Sequence, residues 1–211
     1  DVLGSRGLGD VYKRQIQYGI ENKASSMGAS IERITYESID KSHIKSFDGI
    51  IAIGKFDHTE VTHLKSFGLP MICIGENYLR YNLDCIRSDF ETPVRKIIDR
   101  FIQNGIEDIG MIAGREITVT EKQKVRDPRV ETFNQYLSSK NLYNKSFVYQ
   151  GAFGPDSGFA LMSQAIADLG DSLPHGFMIG SDSMAVGALR SLQQHNICLL
   201  YTSPSPRDPK T

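Results

Sequence analysis

The chain has 211 residues, 24 of them Lys or Arg and 25 Asp or Glu, for a formal net charge of −1, and 40% of it is apolar. That composition fits one large or two small globular domains with a real core, and near-neutral charge gives no electrostatic reason for the chain to hold nucleic acid by itself. It excludes a disulfide-stapled miniprotein, since Cys73, Cys85 and Cys198 show no CxxC spacing, and no apolar run approaches the ~18 residues of a membrane span.

The two ends differ from the middle. Residues 1–15 combine Gly4, Gly7 and Gly9 without sustained periodicity, and residues 198–211 hold Pro204, Pro206 and Pro209. Both resemble translated adapter read-through, particularly DVYKRQ and LYTSPSPRD, so both are expected to be non-native flanks making few contacts with the body. Nothing at the start resembles a secretory signal, and cysteine use fits a reducing compartment. A cytoplasmic location is the expectation.

In chain order, Ile16, Ile20, Ala24 and Met27 mark one face of a helix that Gly28 can end. A short strand is expected over residues 31–36. The run 49–53, GIIAI, is rich in β-branched residues and reads as a parallel strand buried on both faces. Asp57 then caps a short helix with Val61 and Leu64 inward. Residues 70–74 form the next buried strand and 83–86 a weaker one. The polar, Asn-rich stretch 76–82 interrupts the alternation, and a crossover to a second subdomain is expected there.

From Asp89 the pattern sharpens. With Asp89 or Thr92 as N-cap, Val94, Ile97, Ile98, Phe101 and Ile102 fall on one helical face that Gly105 ends. Residues 109–113 read as a strand, 114–127 as a polar loop, and Val130, Phe133 and Leu137 as the inner face of a helix starting near Pro128. A strand at 147–149, a helix carrying Phe159, Met162, Ile166 and Leu169, and a strand at 176–180 follow. Ala185, Val186, Leu189 and Leu192 are expected to face inward from the last helix. This βαβα order predicts an α/β protein of two doubly wound parallel-sheet subdomains, both incomplete, over residues 16–88 and 89–197. Ligands of such sheets bind beyond the carboxyl ends of the strands.

Several enzyme and metal motifs fail on their chemistry. GIIAIGKF (49–56) lacks the Ser or Thr a phosphate loop needs after its Lys, and its inter-glycine residues read as a strand. Lys55 is instead expected as a polar group at a strand end, in reach of a ligand. His58 and His63 are five apart, which places them on different sides of a helix. No GxSxG or paired carboxylates stand at a strand end, so neither an enzyme nor a bound cofactor is expected.

Three positive features remain. Arg129 sits in the first turn of a helix, where a cation opposes the macrodipole. Its donor fork either grips two ligand hydroxyls or a carboxylate, or forms a surface ion pair with Asp127 or Glu131, and its loss is expected to cost binding rather than stability. Phe153, in a glycine-flanked loop, either stacks on a sugar ring or caps the core beneath it. Ser181 and Asp182 open the last helix, so one caps it and leaves the other free for a ligand.

These features, with FDGIIAIGK (47–55), LPMICIGEN (69–77), IRSDFETP (86–93), NGIEDIGMIAG (104–114), RDPRVETF (126–133), GAFGPDSGFALM (151–162) and GSDSMAVGALRSL (180–192) in register, resemble the effector-binding domain of the LacI/GalR family of transcription repressors. The resemblance covers residues 16–197 and implies a periplasmic-binding-protein-like fold of type I closing on a small carbohydrate. It likens Arg129 to the family's sugar-gripping arginine, Phe153 to its stacking aromatic, and Ser181 with Asp182 to its polar pair. Gly75 stands where several relatives have an acidic contact, so either Glu76 substitutes or that contact is missing. Ser88 falls near the cleft. The resemblance further implies operator DNA as a partner through a helix-turn-helix headpiece not included here, a homodimer, and no membrane. A secreted solute-binding protein for sugar transport is the alternative on the same fold.

Overall fold

The computed structural model describes residues 8–199 except positions 40, 119 and 123, with side chains from residue 14 onward except also those of residues 41 and 42. The expectations for residues 1–7 and 200–211 lie outside this range. Helix α1 (Leu8–Ser26) reaches back into the segment set aside as a flank and ends as expected, where the Ala29 amide closes on the Ala24 carbonyl at 3.0 Å around Gly28, whose φ is +72°. The strand expected over 31–36 is not formed. Thr35 is extended, but no strand neighbours it among the described residues, and the chain turns into a 3-10 segment, Tyr36–Ser38. Its polar groups instead bind helices: Arg33 pairs with Glu21 of α1, and Glu32 with His43 of the short α2 (Lys41–Ile44).

Three parallel strands follow, β1 (Ile50–Ile53), β2 (Met71–Ile74) and β3 (Asp84–Ile86), in the order β1-β2-β3 with Ala52 beside Cys73 and Cys73 beside Cys85. Helix α3 (His58–Lys65) lies between β1 and β2 in sequence and packs Val61 and Leu64 on the face carrying Ala52 and Cys73. The opposite face carries Ile51, Ile53, Ile72, Ile74 and Ile86, of which Ile51 and Ile86 are 43% and 54% exposed. Only an open apolar cavity separates Ile51 from Ile16, Ile20 and Ala24 of α1. Residues 76–82 do not cross to the second sheet. Tyr78 turns back into the first core, 2% exposed, with its hydroxyl donating to the Phe56 carbonyl at 3.2 Å. The chain returns to β3 in the same sheet and leaves it after Ile86.

The second sheet contains β4 (Ile109–Gly114), β5 (Val148–Gly151) and β6 (Gly176–Ile179) in the parallel order β5-β4-β6. On one face, α4 (Glu91–Gln103) and α5 (Pro128–Ser139) bury Val94, Ile98, Val130, Phe133 and Leu137 against Ile109, Met111 and Ala113. On the other, α6 (Pro155–Leu169) and α7 (Asp182–Gln194) bury Met162, Ala165, Met184, Ala188 and Leu192 against Ile112. Period-two alternation along the central β4 thus feeds two cores, and the sheet is doubly wound.

Asp89 opens α4 as read, its carboxylate accepting the Glu91 and Thr92 amides at 3.0 Å. Ile97 lies at the margin of the buried arc and is 42% exposed. In α7 the inner face is rotated from the expected one. Val186 and Leu189 are exposed, while Met184, Gly187, Ala188, Ser191 and Leu192 turn inward. The cause is backbone contact: a side chain on Gly187 would collide with the Pro155 carbonyl, and one on Gly158 with Met184. Small residues must face that seam.

Candidate functional site

The carboxyl ends of the strands carry every candidate side chain but Arg129: Lys55 after β1, Glu76 after β2, Ser88 after β3, Phe153 after β5, and Ser181 with Asp182 after β6. Arg129 enters from the start of α5. Asp127 caps that helix with its carboxylate accepting the Arg129 amide at 2.9 Å, and Pro128 fills the first helical position, where no amide is needed. The same carboxylate accepts from Arg129 Nε at 2.9 Å and from Nη2 at 2.6 Å, and Nη1 donates to the Gly180 carbonyl. The Phe90 ring lies 5.6 Å beneath the guanidinium. Arg129 is therefore joined to the turn bearing Ser181 and Asp182.

Of the two counter-ions open to Arg129, the structure selects Asp127, while Glu131 takes Arg126. Burial opposes ionisation of Asp127, but the hydrogen bonds and charge of Arg129, helped by Lys55, hold its carboxyl below the usual carboxylate range. Truncating Arg129 would strand that carboxylate, so the expectation of unchanged stability does not hold. Phe90, Asp127 and the Gly180 carbonyl were not read as site groups. The D-P-R order was the available signal for Asp127, because an Asp before Pro at a helix start is a cap whose second oxygen is free.

Phe153 has both of the roles open to it within reach. Its ring lies across the end of β4 where Gly114 leaves room, and a side chain at 114 would overlap it, yet it also packs against the core beneath. Ser181 is the cap of α7, its hydroxyl accepting the Met184 amide at 3.4 Å, and Asp182 is exposed in the first turn. Gly75 has a steric reason to be glycine. Its φ is +123°, and a Cβ there would stand 3.1 Å from the Gly54 carbonyl oxygen. Glu76 accepts its neighbour Asn77's amide at 2.8 Å. The groups found against Arg129 are Asp127, the Gly180 carbonyl and Phe90, while Glu76 and Ser88 follow strands of the other sheet.

Lys55 Nζ pairs with Glu116 at 2.8 Å, across from the first half to the second. Glu116 belongs to the polar loop after β4, which folds back on itself through an Ile117–Lys124 bridge and a Val125 amide bond to the Glu116 carbonyl. The tip of this hairpin docks on the start of α3. Asp57 and Glu60, 3% and 1% exposed, form a reciprocal capping box and then use their remaining oxygens on the hairpin. Asp57 accepts the Glu121 amide at 2.8 Å, and Glu60 accepts the Thr120 amide at 3.0 Å and hydroxyl at 3.1 Å. Glu121 in return accepts the Thr59 amide at 3.0 Å. Burial raises the cost of ionising Asp57, but backbone donors from Glu121 and Glu60 and the Thr118 hydroxyl leave its carboxyl below the usual range. No group of three His, Cys, Asp or Glu suited to a metal occurs among the described residues.

Residues 98–198 match the periplasmic binding protein-like domain family. Over 190 residues the chain is 40% identical to the HTH-type transcriptional regulator GalR of Lacticaseibacillus casei, covering 90% of this chain and 57% of that protein. It superposes on a LacI-family transcriptional regulator from Lactobacillus casei, crystallised with sucrose, at a TM-score of 0.63 and 18% identity over 85% of this chain and 68% of that one. The chain is similar in sequence to GalR-type regulators and in fold to LacI-family regulators. The transcription regulator CcpA of Lactococcus lactis shares the fold at a TM-score of 0.69 and 18% identity, over 90% of this chain and 71% of that one. These relatives support the effector-binding domain of a regulator over a transport protein, and the chain spans 57% of the length of the GalR relative.

Proposed function

We propose that the intact protein is a transcriptional repressor whose cleft senses a small carbohydrate, with Arg129, Phe153, Ser181 and Asp182 on one side and Lys55, Glu76 and Ser88 on the other. The observation that carries this reading is the fixed guanidinium of Arg129, joined to the Gly180 carbonyl at the turn that presents Ser181 and Asp182. Adjacent sugar hydroxyls suit such a fork, and an aromatic ring suits the apolar face of a pyranose. The relative crystallised with sucrose supports the ligand class. Binding energy that differs between two arrangements of the halves would alter operator affinity, with DNA read by a helix-turn-helix headpiece outside the stretch described here. The domain is not an enzyme and works in the cytoplasm. The exposed Val186 and Leu189 on α7 support a homodimer.

Calorimetric titration with a panel of hexoses, pentoses and disaccharides tests the reading, with Arg129→Lys as the informative variant. Lys keeps a cation beside Asp127 but loses the fork, so affinity for the bound sugar should fall about 30-fold, corresponding to ~2 kcal/mol for hydrogen bonds to a charged group. Equal affinities in the parent and the variant, or no binding of any sugar in the panel, would refute it.

A further inference from the structure

We propose that Asp127 is a positioning and charge-setting residue of the cleft, and that with it in place the site takes an uncharged polyhydroxyl ligand in preference to an acidic or phosphorylated one. This rests on the reading of Arg129 as a ligand contact. Arginine offers five N–H donors. Nε and one hydrogen of Nη2 are taken by Asp127 and one hydrogen of Nη1 by the Gly180 carbonyl, which leaves two to reach a ligand. With the Phe90 ring beneath it, the guanidinium plane is held from below and from both edges.

Charge is matched as closely as orientation. Arg129 is neutralised by Asp127 at 2.6 Å and Lys55 by Glu116 at 2.8 Å, and in both pairs the side chains are a third exposed or less. Arg126, on the rim, is paired with Glu131. Arg87 beyond β3 and Arg115 beyond β4, whose Nε donates to Gln150, are exposed, where water and salt screen their charges. Asp182 and Glu76 add carboxylates that accept hydroxyl protons and repel anions. An acidic sugar entering here would lose its hydration and meet paired cations. An uncharged sugar would find two directed donors and several acceptors, and asks for nothing more.

The discriminating variant is Asp127→Asn, because Asn also caps helices and can keep the bond from the Arg129 amide while the charge is removed. Affinities are measured in the 211-residue chain for galactose and galacturonate and for glucose and glucuronate, two pairs that differ by a C6 carboxylate, at low and physiological salt. The parent should bind the uncharged member of a pair at least tenfold more tightly. Asp127→Asn should shrink that ratio tenfold or invert it, with greater salt dependence for the acid. A role for Asp127 in helix capping alone would weaken both members equally, and an unchanged ratio overturns the proposal, as does tighter binding of the acid by the parent. Arg129→Lys separates the two ideas. If it leaves every affinity unchanged, the reading of Arg129 fails. If it lowers them while the Asp127→Asn ratio stays put, only the role given to Asp127 fails.

Discussion

Replacing Glu60 with Ala tests whether the hairpin after β4 straps the two halves together. The Glu60 carboxylate is 1% exposed and accepts three hydrogen bonds: from the Asp57 amide at 2.8 Å, the Thr120 amide at 3.0 Å and the Thr120 hydroxyl at 3.1 Å. Bonds to a charged acceptor are worth about 1.5–3 kcal/mol each, but the three share one carboxylate and do not add fully, and water entering the gap recovers part of the loss. A net cost of about 3–4 kcal/mol is expected. For a chain of this size that lowers the melting temperature by roughly 6–16 °C. Thr59→Ala, which removes a hydroxyl donor to the exposed side of the same junction, should cost about 1 kcal/mol or less. Circular dichroism melts give the global value, and hydrogen exchange at the Thr120 and Glu121 amides reports release of the hairpin tip, because those amides donate to Glu60 and Asp57. A Glu60→Ala protein melting within 2 °C of the parent, with those amides still protected, would refute the account.

Acid should act on the same junction. The folded Asp57 carboxyl lies below its ordinary value, so its contribution is present at neutral pH, above the unfolded pKa, and is lost as pH falls below about 4 through the folded value; a pH series of melts in the parent and Asp57→Asn should converge toward acid. Gly114→Ala should displace the Phe153 ring at a cost of about 1–3 kcal/mol, read as loss of stability together with sugar affinity, and a neutral result would show that the ring has another resting place. Cys73 is 1% exposed, and burial pushes its thiol up to about 11, so alkylation of native protein at neutral pH should label the exposed Cys198 and spare Cys73. Equal labelling of both would contradict the packing of the first core.

The elements that were legible are those whose reason is local. GIIAI and PMICI announce strands because β-branched runs bounded by glycine suit a sheet buried between layers, and Asp57 and Asp89 announce helix starts because their carboxylates serve amides two or three residues on. Residues 31–36 carry the same β-branched signal but form no strand, since a strand is completed by a neighbour, and a sequence window does not contain the neighbour. The face of α7 was misjudged for a related reason. Large side chains were assigned inward, while the packing partner demanded Gly187 and Ala188. The hairpin over α3 was read only as a polar loop, because its bonds join residues 57–60 to 116–121, a pairing that no periodicity records.

The seam between α6 and α7 bears on how a binding cleft of this kind can change its preferences. With Gly158 and Gly187 allowing backbone to touch backbone, the starts of the two helices form one slab, and the turns presenting Phe153, Ser181 and Asp182 are mounted on it like fixtures on a single plate. None of the three can be re-aimed without the others. Room for a larger or smaller guest has to be found opposite, around Lys55 and Glu76, or by sliding the whole plate. Substitutions that retune selectivity in the laboratory should therefore accumulate on the facing strands, whose sheet is closed on one side only and has slack to give.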